Sequence, residues 1–130
     1  MINNSMKTLL FSLVFLLGGC ALMPTPFDSA LYDHLVKMSV IADYMQDRCG
    51  TDSMLSDTKI LKIESNIVAK YTEFTSKDTH SPIVLVNKNI IELNNAYEKG
   101  VPSTAYCKLK LKIIGEDLHL ILIAIGGKNK

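Results

Sequence analysis

Apolar residues recur at helical spacing in four segments of the chain. In the first segment, from about Ser29 to Arg48, they form one stripe made of Leu31, Leu35, Met38, Ala42 and Met45. Asp28 can cap the N-terminus by accepting hydrogen bonds from free backbone N–H groups. Gly50 suits the left-handed position that follows a helix end. The pattern therefore predicts an amphipathic helix.

A second segment, from about Asp57 to Thr75, has the same periodicity, with Ser56 or Asp57 as its cap. Its apolar face consists of Ile60, Ile63, Ile67, Tyr71 and Phe74. The polar residues 76–80 then break the pattern. The sequence therefore predicts a second helix that ends near Thr75.

A third helix is predicted to begin at Ser81 as its cap. Pro82 then takes the first helical position, where the missing N–H of proline costs nothing. Its apolar face consists of Val86, Ile90, Leu93 and Tyr97. Gly100 and Pro102 end this helix.

The last segment has two interpretations. Ser103 can cap a helix whose face consists of Cys107, Leu111, Ile114, Leu118, Ile121 and Ile125. However, residues 108–113 also alternate between polar and apolar, and Gly115 could turn a β-hairpin. An interior glycine costs a helix up to about 1 kcal/mol. We favour the helix because six positions fit its period. The predicted fold is an all-α four-helix up-down bundle, with three helices plus a C-terminal hairpin as the alternative.

The N-terminus has a different character. Lys7 precedes an apolar run from Leu9 to Leu17, which is too short for a bilayer crossing of about twenty residues. Small Gly18 and Gly19 and then Cys20 follow. This arrangement resembles the signal peptide and lipobox of bacterial lipoproteins, beginning at Met1 or Met6. An ordinary cleaved signal or a buried helix is the alternative.

The resemblance implies that residues 1–19 are removed and that Cys20 carries covalent lipid, with no other cofactor expected. Ala21 follows the cysteine where an acidic residue would favour the inner membrane. We therefore expect the periplasmic side of the outer membrane, with the inner membrane or the cell surface as alternatives. Residues 20–27 contain Pro24 and Pro26 and form a membrane tether of at most about 28 Å.

The mature chain would have 111 residues, enough for one domain over residues 28–126 and a polar tail over 127–130. Loss of Lys7 leaves 13 basic residues against 13 acidic ones. A chain so close to neutral has no bulk charge that would recruit nucleic acid.

Cys49 and Cys107 are the other two cysteines. Exported proteins usually pair their thiols. In an up-down bundle the end of the first helix and the start of the fourth lie at the same pole, which brings these thiols together. We therefore predict a Cys49–Cys107 disulfide, which closes a loop of about 58 residues and contributes about 4 kcal/mol in the loop-entropy model.

Candidate catalytic and metal-binding groups are few. His34, His80 and His119 lack metal-ligand spacing, so no metal site is predicted. Asp117 and His119 have no nucleophile in a supporting motif. We therefore predict no catalytic residues and no enzymatic activity.

Lys108, Lys110 and Lys112 form a possible interaction strip. Such a strip could contact anionic lipid or the acidic surface of a partner. A solvated helix face is the alternative, and Lys112 can pair with Glu116 one turn later.

Two family resemblances extend over most of the mature chain. The segments 31–34, 106–112 and 126–128 resemble small phage-encoded lipoproteins. The helix end at Cys49 and the Gly100-Val-Pro102 stretch are similar to the pilotin lipoproteins of type II secretion, which are disulfide-bridged four-helix domains. The first resemblance implies action on the host envelope, such as superinfection exclusion, and the second implies a groove for a secretin helix. We expect a non-enzymatic interaction module with an envelope protein as partner. A structural or lytic envelope lipoprotein is a further alternative.

Overall fold

The computed structural model describes residues 26–127, and these fold into four helices without a strand. The helices are α1 (Ser29–Gln46), α2 (Met54–Thr75), α3 (Lys77–Lys99) and α4 (Thr104–Gly126). Each packs on its neighbours in chain order, and α4 closes the bundle against α1. Across the described residues, the diagonal pairs α1/α3 and α2/α4 make no close backbone contact. This arrangement confirms the four-helix bundle, and the hairpin alternative is wrong.

Two of the predicted helix caps form. The carboxylate of Asp28 accepts a hydrogen bond from the Leu31 N–H at 3.0 Å. The hydroxyl of Ser103 accepts from the Tyr106 N–H at 3.2 Å. Both side chains satisfy backbone donors that have no partner within the helix.

Helix α1 ends at Gln46, earlier than predicted. Its chain tightens into a turn in which the Arg48 N–H bonds to the Met45 carbonyl at 3.0 Å. Gly50 therefore lies within this turn and not directly after the helix. Its φ of +89° favours glycine, and a Cβ at this position would lie 2.6 Å from Thr104 Oγ1.

The boundary between α2 and α3 differs more. Helix α2 begins at Met54, whose side chain is fully buried, three residues before the predicted Asp57. Helix α3 begins at Lys77, so that Pro82 lies inside it and not at its first position. Only Ser76 separates the two helices, because its carbonyl accepts from the His80 N–H at 2.9 Å and so starts the first turn of α3.

The core lies along the bundle axis and consists of the predicted faces of three helices. Every residue named for the apolar faces of α1, α3 and α4 is buried. Helix α2 is the exception, since all five residues of its apolar face are exposed. None of the four helices within residues 26–127 combines the length and the apolar content that a membrane crossing requires.

Candidate interaction surface

The predicted lipidation site, Cys20, lies outside the described residues. The other two cysteines are joined: Cys49 and Cys107 form a disulfide with Cα atoms 5.7 Å apart. Tyr97 packs beside the bridge. Its hydroxyl lies 3.3 Å from the Gly50 N–H and 3.2 Å from Cys107 Sγ. The bridge therefore ties the turn after α1 to the first turn of α4, and Tyr97 of α3 packs against it.

The three lysines of the possible interaction strip do not share one face of α4. Lys110 forms an ion pair with Glu92 and bonds to Asn89 on α3. Lys108 and Lys112 each lie about 160° from Lys110 around the helix axis. Lys112 lies 3.9 Å from Glu116, an exposed pair that contributes little.

The three histidines have separate surroundings. Nδ1 of His34 lies 2.6 Å from a carboxylate oxygen of Glu64, and Nδ1 of His80 lies 3.1 Å from the hydroxyl of Thr72. His119 is exposed at the edge of a cleft near the C-terminus of α4. Within residues 26–127, no group of three or more His, Cys, Asp and Glu side chains could hold a metal ion.

The most unusual surface of the described chain is the apolar face of α2. We call Ile60, Ile63, Ile67, Tyr71 and Phe74 the α2 stripe; their side chains are between 40% and 76% exposed. From Ile60 to Phe74 the stripe runs about 21 Å along the helix. A row of exposed apolar side chains of this length makes the stripe the candidate interaction surface of the domain.

The inner face of α2, opposite the stripe, is only partly apolar. Apart from Glu64, its buried positions alternate between apolar and hydroxyl side chains, in the order Met54, Thr58, Leu61, Ser65, Val68 and Thr72. The hydroxyl oxygens lie near polar atoms of α3: Thr58 is 3.3 Å from Asn94 Oδ1, and Ser65 is 2.7 Å from Asn87 Oδ1. Helix α2 is therefore held against α3 partly by hydrogen bonds.

Helix α2 meets α1 and the residues that flank α1 through polar contacts spaced seven residues apart. Asp57 pairs with Arg48 at 2.5 Å. Glu64 is only 7% exposed and binds His34 and also Lys37, the latter at 3.1 Å. The hydrogen bond with His34 and the nearby Lys37 ammonium lower the pKa of the Glu64 carboxyl, although burial opposes the shift.

The third of these contacts lies at the start of α1. The hydroxyl of Tyr71 donates to Asp28 Oδ2 at 2.7 Å. This bond raises the pKa of Tyr71. Burial disfavours the charged form of Asp28, but the Leu31 N–H and the Tyr71 hydroxyl outweigh it and lower the pKa of Asp28. The stripe therefore ends beside the first described residues of the chain.

The residues of the stripe were visible in the sequence, but their exposure was not. Spacing groups side chains on one face and does not say what covers that face. Comparison of the chain with protein-family models, with curated proteins and with solved structures gave no match.

Proposed function

We propose that the protein is a non-enzymatic interaction module of the bacterial envelope, anchored by lipid on Cys20 and binding through the α2 stripe. The observation that carries the proposal is the outward position of this apolar face. Its three isoleucines, Tyr71 and Phe74 are exposed while smaller polar side chains of the same helix are buried. A helix that leaves its larger apolar face in water gains stability once another surface covers that face.

The proposed anchor is supported by the sequence from Leu17 to Cys20. Three acyl chains of a bacterial lipoprotein would hold the domain stably, because two or more chains suffice for lasting attachment. We place the anchored domain on the periplasmic side of the outer membrane because Ala21 follows the cysteine.

Metabolic labelling with a fatty acid tests the anchor. We expect the wild-type chain to incorporate label and to lose residues 1–19, whereas Cys20→Ser does neither. An unlabelled wild-type chain would contradict the anchor.

Photo-crosslinking in cells tests the binding surface separately. A photoactivatable residue replaces Ile63 on the stripe or, as a matched control, Leu109 on α4; these side chains are 61% and 58% exposed. We expect position 63 to capture an envelope component, either the proposed protein partner or lipid, while position 109 does not. Equal capture at both positions would contradict a dedicated surface on α2.

A pilotin-like function is the second candidate. It is favoured by the four-helix bundle with its Cys49–Cys107 bridge. In this case the captured component is a secretin segment, and secretion genes neighbour the gene. Phage tail or lysis genes as neighbours favour the phage-encoded alternative, in which the module acts on the host envelope.

A further inference from the structure

We infer that the α2 stripe rests on an anionic lipid leaflet, so that α2 lies along the membrane surface. The inference rests on the proposed lipid anchor to bring the domain to the membrane and to hold the C-terminal end of α2 near it. The contact itself is argued from the shape, the charge and the position of the stripe.

The stripe forms a ridge. Ile63 lies about 160° around the helix axis from each of the buried residues Leu61 and Ser65, so it points directly away from the core. Ile60 lies about one helical turn after Asp57, and Ile67 lies about one turn after Glu64, so these two isoleucines lie next to the contacts on the α1 side. A partner helix requires a groove, whereas a lipid leaflet accepts a convex helix whose apolar face sinks into the headgroup boundary.

Lysines border the stripe on the side away from α1. Lys59 and Lys62 each precede an isoleucine of the stripe and lie about 100° from it around the axis. Neither forms an ion pair with another described residue. The third lysine on this side, Lys70, is paired with Glu73 and lies 4.9 Å from the Phe74 ring. Apolar residues flanked by unpaired lysines match the acyl chains and the anionic headgroups of a leaflet.

The chain also leads from the stripe towards the anchor. Pro26 lines a cleft with Tyr71 and Thr75 at the C-terminal end of α2. Six residues, 20–25, connect Pro26 to the proposed lipid on Cys20, and they reach at most about 21 Å. The lipid therefore holds this end of α2 near the membrane, where Phe74 is 76% exposed.

A pair of labelled variants tests this inference. The full chain is reconstituted into vesicles of phosphatidylethanolamine and phosphatidylglycerol, with an environment-sensitive fluorophore on Ile67→Cys or on the control Leu109→Cys. The thiols of Cys49 and Cys107 are joined and take no label. We expect the emission of position 67 to shift to the blue and to be quenched by nitroxide-labelled acyl chains, while position 109 keeps its aqueous spectrum.

A second variant tests the lysines. Replacing Lys59 and Lys62 by Gln should lower the ratio of docked to undocked label by about five-fold per lysine. In vesicles of phosphatidylcholine alone the same replacement should have no effect. An unchanged ratio in anionic vesicles overturns the electrostatic part of the inference.

The outcomes separate the inference from the anchor. An aqueous spectrum at position 67, in protein whose intact mass includes lipid on Cys20, overturns the inference and leaves the anchor standing. A blue shift at position 67 that needs no vesicles and grows with protein concentration identifies a second copy as the occupant and also overturns it. A third outcome is a blue shift on added vesicles in protein whose intact mass shows no lipid on Cys20. This outcome supports the inference and contradicts the proposed anchor.

Discussion

Helices α2 and α4 have 22 and 23 residues and similar apolar stripes, yet they use them in opposite ways. Helix α4 buries all six residues of its stripe against α1 and α3. Helix α2 exposes all five residues of its stripe and buries a face in which Thr58, Ser65 and Thr72 alternate with apolar residues. The α4 stripe therefore stabilises the domain, while the α2 stripe is available to bind something else.

The difference shows that helical spacing identifies a face but not its direction. Helix α2 has two faces at helical spacing, and the inner one is matched to polar side chains of α3. Burial of a hydroxyl costs little when it is hydrogen-bonded, as the Ser65 hydroxyl is to Asn87. Helix α2 therefore packs on α3 through one face and leaves its other apolar face free for an external contact.

The largest expected effect comes from truncating matched apolar residues on the two helices. Leu118→Ala on α4 should lower the free energy of unfolding by about 2–5 kcal/mol, because it leaves a cavity at a fully buried position. Ile63→Ala on α2 should change it by less than about 0.5 kcal/mol. Urea denaturation of both variants measures the difference, and comparable losses would contradict the outward position of the stripe.

The hydrogen bonds between α2 and α3 provide a second, smaller effect. Thr58→Val should cost about 1–3 kcal/mol because it deprives Asn94 of its side-chain partner in the core. The Nδ2 atom of Asn94 already lacks a partner among the described residues. Adding Asn94→Leu should therefore recover most of the loss. A double-mutant cycle in urea measures this coupling, and simple additivity of the two changes would contradict it.

The sequence predicted most of the fold. The caps Asp28 and Ser103, the bridge between Cys49 and Cys107, and the faces of three helices follow from local spacing and from the topology of an up-down bundle. It did not predict the start of α3 or the direction of α2. The start of α3 depends on hydrogen bonds made by Ser76 to the residues that follow it. The direction of α2 depends on distant partners of its hydroxyl groups, such as Asn87 for Ser65. The exposure of the α2 stripe follows from the direction of α2, so it was missed.

The smallest expected effect is a pH dependence at the contact between α1 and α2. Folding lowers the pKa of the Glu64 carboxyl. Ionised Glu64 therefore stabilises the fold at pH values above the ordinary pKa of glutamate. This stability is lost as the pH falls through the lowered pKa. Glu64→Gln should flatten the acid limb of stability measured by urea denaturation between neutral pH and the acid range.

Part of the acid loss should persist in this variant, because the pKa of Asp28 is also lowered. Parallel pH profiles for the wild type and for Glu64→Gln would contradict the role of the His34 and Lys37 contacts.

The central claim is that another surface covers the α2 stripe in cells. Hydroxyl-radical footprinting of the protein in isolated cell envelopes tests this claim most directly. Ile67 and Phe74 report on the stripe, and Leu109 and Leu120, which are exposed on α4, serve as controls. We predict that oxidation of Ile67 and Phe74 is suppressed in membranes and rises when the protein is extracted, while oxidation of the two leucines stays constant. If oxidation of Ile67 and Phe74 is the same before and after extraction, as it is for the two leucines, the account is contradicted.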